Sequence, residues 1–121
     1  MQFAEMDQQV TLFEQMEDRG GPVVLINRFN VRPDETDQLL LAWAADAAVL
    51  QRQPGYISTQ LHRGIGGICV FLNYAAWEST EHFKRAFNNP ELRDQLGHYP
   101  SSAVASPHLF GKVAVAGICV G

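Results

Sequence analysis

Two strand-like stretches joined by a glycine-rich turn constrain this chain most. Tyr56 to Arg63 alternates as a strand does, and Ile68 to Ala76 reads as a further, largely apolar strand. Gly64-Ile65-Gly66-Gly67 lies between them and supplies the positive-φ positions that a tight hairpin needs. An antiparallel hairpin is therefore expected, and the remaining elements must cover it. Val23 to Val31 reads as another strand. Val23, Leu25, Asn27, Phe29 and Val31 share one of its faces, and Val24, Ile26, Arg28 and Asn30 the other.

Helical signals fill the gaps between strands. Arg32-Pro33-Asp34 makes a turn, with Asp34 placed to cap a helix running to about Gln53. Leu39, Trp43, Ala47 and Leu50 form its apolar stripe, with Leu40 and Ala44 beside it, and Pro54-Gly55 stops it. Ser79 is placed to cap a second helix, on which Phe83 and Phe87 form a ridge. Asn89-Pro90 opens a third, with Leu92 and Leu96 facing inward. Leu109 to Val120 reads as the last strand. The order β-α-β-β-α-β over residues 22–121 predicts an α+β, ferredoxin-like (split βαβ) antiparallel sheet with helices on one face. Residues 1–21 form an arm outside it. Phe3, Met6, Val10, Phe13 and Met16 recur at helical steps, so a helix is expected over residues 2–18.

Composition bounds the rest. The 121 residues, 46% hydrophobic and 18% charged, suit one domain with a real core. The net charge is −4 and no Lys/Arg cluster exists, so neither nucleic acid nor an anionic membrane surface is expected as a partner. No apolar run reaches the length of a membrane span. Met1 to Asp7 lacks the pattern of a signal peptide. Cys69 and Cys119 lie in apolar runs and read as reduced, buried thiols, with no spacing that suggests a metal site. A cytoplasmic location follows. Both strand faces carry apolar groups: Val24 and Ile26, Val70 and Leu72, Val113 and Val115 with Ala114 and Ala116. A sheet apolar on both sides needs two covers. A second copy, sheet against sheet, supplies the other cover and predicts a homodimer, a dimeric α+β barrel.

Polar residues on the helix-covered face carry the candidate chemistry. Phe71, Asn73, Ala75 and Trp77 share that face, and Asn27 stands between Leu25 and Phe29 on the first strand. A buried amide costs a few kcal/mol unless a protein group or a ligand pairs with it. The Trp77 indole N–H has the same need. Of four histidines, His62 lies near a strand end and His82 on an early helix turn. His98 and His108 flank the loop before the last strand, where a neutral imidazole at a pocket mouth suits a general base; each also reads as an ordinary surface histidine.

Asn73-Tyr74-Ala75-Ala76-Trp77-Glu78-Ser79 resembles the motif of the antibiotic biosynthesis monooxygenase family, and in particular its cofactor-independent anthrone oxygenases. Ile26-Asn27-Arg28-Phe29, Gln53-Pro54-Gly55-Tyr56 and Leu61-His62-Arg63 are further matches. The resemblance implies a monooxygenase that oxidises an electron-rich aromatic, anthrone- or phenol-like, to a quinone. Molecular oxygen is the co-substrate, with no metal and no cofactor. It implies catalytic roles for Asn73, Trp77 and Arg93. Asn27, Phe29, Phe71, Phe83, Phe87, His98 and His108 are the expected substrate-binding residues. The chain departs from the pattern at Phe83, where a pocket tyrosine is expected, so one hydroxyl donor is missing. The family also includes haem-degrading oxygenases, which share the Asn at position 27. The Trp and axial His that those enzymes need fall here near Ala86 and Leu96, with His98 two residues on. A non-oxygenase, ligand-binding or cyclase-like dimer of the same fold is the alternative.

Overall fold

A computed structural model describes residues 1–121. Its strands are β1 (Gln2–Phe3), β2 (Val23–Asn30), β3 (Tyr56–Arg63), β4 (Val70–Trp77) and β5 (Val104–Phe110). Its helices are α1 (Leu12–Gln15), α2 (Thr36–Gln51), α3 (Thr80–Phe87) and α4 (Pro90–Leu96), and a 3-10 turn over Pro33–Glu35 leads into α2. The sheet order is β1-β5-β2-β4-β3. Without β1 this is the split-βαβ arrangement, in which β2 lies between β4 and β5 and is antiparallel to both.

Several local signals act as expected. Gly66 and Gly67 take positive φ in the β3–β4 turn. The Ser79 hydroxyl accepts from the His82 N–H and caps α3, and the Asn89 side chain accepts from the Glu91 N–H with Pro90 at the first turn of α4. Gly55 ends the α2–β3 connection at φ +86°, where a Cβ would lie 2.2 Å from the His82 ring. Only glycine fits that position.

Four expectations need correction. Residues 2–18 are not one helix: only Leu12–Gln15 is helical, capped by Thr11, while Gln2–Phe3 pairs in parallel with Val104–Ala105. The exposed edge of β5 offers the arm's backbone partners that a marginal helix must supply for itself. The last strand is Val104–Phe110 rather than Leu109–Val120. Pro107 belongs to that strand, past the point where β1 stops, and a missing N–H on an open edge costs little. Residues 111–121 leave the sheet and are exposed, so Val113 to Ala116 contribute nothing to either sheet face, and Cys119 is an exposed rather than a buried thiol. Asp34 pairs with Arg32 at 2.6 Å instead of capping α2.

Register determines where the site forms. Across β2 and β4, Leu25 pairs with Ala75, Asn27 with Asn73 and Phe29 with Phe71. All six face the helices. They divide the core into two clusters. Leu12, Met16, Leu25, Ala75, Trp77, Phe83 and Ala86 make one. Phe29, Val31, Leu39, Ala42, Phe71, Tyr99, Ala103 and Ala105 make the other. The amide pair Asn27–Asn73 sits at the seam. On the opposite face Val24, Ile26, Val70 and Ala76 are half-buried, while Leu72 and Tyr74 are exposed, with no helix over them.

Candidate active site

A cavity of about 50 Å³ opens at that seam. Its floor is the sheet, with Leu25, Asn27 and Phe29 from β2, Thr59 from β3, and Asn73 and Ala75 from β4. Its roof is Trp43, Asp46, Ala47 and Leu50 of α2, with Phe83 and Phe87 of α3 and Leu92 and Leu96 of α4. Met1 and Phe3 of the arm, with Tyr56, Tyr99 and Pro107, close it. Fourteen of the nineteen lining residues are hydrophobic. The few polar groups therefore decide what such a cavity prefers.

Those polar groups are arranged with unequal satisfaction. The Thr59 hydroxyl donates to Asn73 Oδ1 at 2.6 Å. That bond fixes the amide, so its NH₂, for which the protein supplies no acceptor, is the end free to donate. Asn27 Oδ1 is buried with no partner. On the roof, the Tyr99 hydroxyl donates to Asp46 Oδ2 at 2.8 Å, and Asp46 Oδ1 is buried without a partner. Burial pushes the Asp46 carboxyl up to about 6, and the Tyr99 hydrogen bond holds it partly down. Burial first, then the adjoining Asp46 charge, raises the Tyr99 phenol well above its usual range. Tyr99 also stacks on Phe29, with ring centroids 5.7 Å apart and planes 9° from parallel. No Lys, Arg, His or Cys lines the cavity.

The expected site residues divide into those at the cavity and those beside it. Asn73, Asn27, Phe29, Phe83 and Phe87 line it. Trp77 is fully buried behind it, edge-on to Tyr56 and Phe83 at 5.7 and 5.8 Å, with its Nε1–H unpaired. Phe71 is core, under the Arg63 guanidinium. Arg93 is exposed. Its guanidinium lies 4.7 Å over the outer face of Phe87 and its Nε donates to the Phe87 carbonyl, so it braces a cavity wall without reaching the interior. His98 is exposed and meets the Gln95 side chain on its own helix end. His108 points to the other face of β5, where Gln15 bonds it at 3.0 Å. Neither histidine reaches the cavity: alternation along β5 turns Pro107 inward and His108 outward, and His98 stays at the exposed end of α4.

Sequence reasoning missed Asp46, Tyr99 and Thr59. Asp46 did carry a signal: with Trp43 and Leu50 it occupies i, i+3 and i+7 of one helix face, a carboxylate within an apolar stripe.

Fold and site together define a small α+β domain with a mostly apolar pocket and a sparse set of oriented polar groups. The chain belongs to the antibiotic biosynthesis monooxygenase family, whose model matches residues 22–95. It is 31% identical over 77 residues to a heme oxygenase (mycobilin-producing) of Mycobacterium tuberculosis, spanning 64% of this chain and 73% of that one. A candidate monooxygenase from Shewanella loihica PV-4 is 33% identical with TM-score 0.67, over 78% of this chain and 97% of that one. SnoaB, a cofactor-independent oxygenase from Streptomyces nogalater, superposes with TM-score 0.72 at 23% identity, over 81% of this chain and 99% of that one. At that identity the likeness to SnoaB is one of fold.

Proposed function

We propose that this protein is a cofactor-independent monooxygenase that oxidises an electron-rich, anthrone- or phenol-like aromatic to a quinone with O₂. The observation that carries the reading is the seam cavity itself. It is apolar, aromatic-walled and without metal-ligating histidine or cysteine, and Asn73 presents a fixed, unpaired NH₂ to it. A carbanion-forming aromatic loses a proton, passes an electron to O₂ and recombines to a peroxide that loses water to give the quinone. The protein's part is to exclude water, hold the ring system and donate to the oxygen on which charge settles. Phe29, Phe83 and Phe87 wall the ring. Trp77 holds Tyr56 and Phe83 in place, and Arg93 braces Phe87. Family membership and the cofactor-independent SnoaB fold support this reading. The direct test is oxygen uptake with dithranol by metal-free protein, with the quinone as product.

The heme oxygenase relative raises a second reading, and the donor set speaks against it. The lining contains no axial His or Cys and no cation to meet a propionate, and no cluster of three or more His, Cys, Asp or Glu is placed to hold a metal. The residues present do not fit haem.

Two structural features belong to the same proposal. Ligand pockets ordinarily measure about 300 Å³ or more, so a tricyclic aromatic enters only if part of the wall moves. Residues 1–4 are the wall segment proposed to move: Gln2 and Ala4 hold them to β5 by backbone bonds to Ala103 and Ala105, each 2.9 Å, and Phe3 remains half exposed. Deleting residues 1–4 should speed ligand association several-fold in stopped-flow quenching of Trp43; an unchanged association rate would assign closure to another element. The open sheet face, apolar at Val24, Ile26, Val70 and Leu72, is the surface proposed for a second copy. Light scattering should give twice the 13.4 kDa chain mass, and Leu72→Glu should return it to the monomer value.

A further inference from the structure

The oxidation proposed above begins with loss of a proton, yet no histidine reaches the cavity to accept it. Only two other ionisable side chains stand with Asp46 at the cavity: the Tyr56 phenol from β3 and the Tyr99 phenol from the loop after α4. Tyr99 is committed as a donor to Asp46 Oδ2. Asp46 keeps its second oxygen, Oδ1, buried and unpaired. A carboxylate oxygen without a partner in an apolar cavity is costly to maintain unless something that binds there donates to it.

Its placement suits the chemistry. Asp46 reaches the cavity from the helix layer, and Asn73 reaches it from the sheet. An anthrone-like ring system has its acidic C–H and its carbonyl oxygen on opposite sides of the central ring. Deprotonation breaks the C–H bond and leaves the electron pair on the ligand, delocalised onto that oxygen. Such a molecule needs an acceptor on one side of the pocket and a donor on the other. Resting on the oxygenase reading, we propose that Asp46 is the proton acceptor of this pocket: its free Oδ1 takes the proton from the acidic C–H or O–H of the bound aromatic, while Asn73 holds the oxygen that becomes negative. Tyr99 is a positioning residue, since its hydroxyl occupies Oδ2 and leaves Oδ1 as the basic oxygen.

The electrostatic surroundings agree. Besides the sheet, which brings only the Tyr56 phenol to the cavity as an ionisable group, and the Tyr99 loop, the elements packed on α2 are α4 and the 3-10 turn. α4 carries Glu91, Arg93 and Asp94, all exposed, and Glu91 pairs with Arg52 at the helix surface. The turn brings Asp34 and Glu35 to the far end of α2. Met1, which lines the cavity, adds the α-amino group. No guanidinium or ammonium side chain lies within the cavity to hold the Asp46 carboxylate at an ordinary acidity. A base that ionises near 6 is mostly charged at neutral pH yet still basic enough to accept a proton.

The test is steady-state oxidation of dithranol as a function of pH, by wild type, Asp46→Asn and Tyr99→Phe. Wild-type kcat/KM should fall as pH drops through about 6. Asp46→Asn should lose roughly 100-fold to 10,000-fold in kcat and lose the acid limb, while anaerobic quenching of Trp43 shows that it still binds dithranol. Tyr99→Phe removes the bond that holds the carboxyl down, so its acid limb should move to higher pH, which loss of packing alone would not cause. If wild type oxidises dithranol and Asp46→Asn matches it in rate and pH profile, this assignment is wrong and the oxygenase reading stands. A wild type that neither binds nor oxidises dithranol overturns both.

Discussion

Asp46→Asn is expected to make the folded chain more stable at neutral pH. The carboxyl ionises near 3.8 when unfolded and near 6 when folded. Between those values the folded chain holds a proton that the unfolded chain has released, so stability falls as pH rises from about 4 to about 6. Above pH 6 the full deficit remains, and the shift corresponds to about 3 kcal/mol. The asparagine variant has no charge to bury, and its amide oxygen still accepts from Tyr99. Urea denaturation at pH 4 should therefore find the two proteins nearly equal, and at pH 8 should find the variant ahead by about 2–3 kcal/mol. Equal stabilities at pH 8 would mean that Asp46 is not desolvated as described. A residue whose ionised form destabilises the fold, in a pocket otherwise apolar, is retained at a cost that function explains more readily than packing does.

Asn73→Ala carries the second large effect, and its consequences separate into two measurable parts. Loss of the NH₂ donor should lower kcat for dithranol about 100-fold to 1,000-fold, with KM changed far less, because the donor acts where charge develops. Loss of Oδ1 strands the Thr59 hydroxyl, which costs about 1–3 kcal/mol of stability. Adding Thr59→Val should recover part of that stability and none of the rate. Turnover within a few-fold of wild type would remove Asn73 from the mechanism, whatever the effect on folding.

Much of the fold was legible because its strongest signals are local. The β3–β4 hairpin follows from alternation in β3, the apolar run that becomes β4 and two glycines between them, and the starts of α3 and α4 from Ser79 and Asn89-Pro90. The faces of β2 and β4 follow from a period of two, which also brought Asn27, Asn73 and Phe29 to one cleft, where Phe83 and Phe87 meet them from the α3 ridge. What failed depended on competition between distant segments. The run from Leu109 to Val120 has strand-like residues, but Val104–Phe110 takes the place beside β2 despite Pro107. Helical spacing in residues 2–18 gave way to the open β5 edge. Tyr99 lies in a loop with no periodicity to place it, and Thr59 matters only through its register beside Asn73. His98 and His108 are near the site in sequence and turned away from it in space. Asp46 was the readable omission, since an acid on an apolar helical stripe is itself an anomaly.

On the proposed reading the seam cavity of this family member oxidises an aromatic with O₂ and nothing else. An oxygen electrode answers it most directly, using dithranol and protein stripped of metal and haem, corrected for spontaneous oxidation. Saturable uptake of one O₂ per quinone formed is expected, unchanged by chelator and sharply reduced in Asn73→Ala. Uptake no faster than the spontaneous reaction, or uptake that appears only when haemin is added, would contradict it.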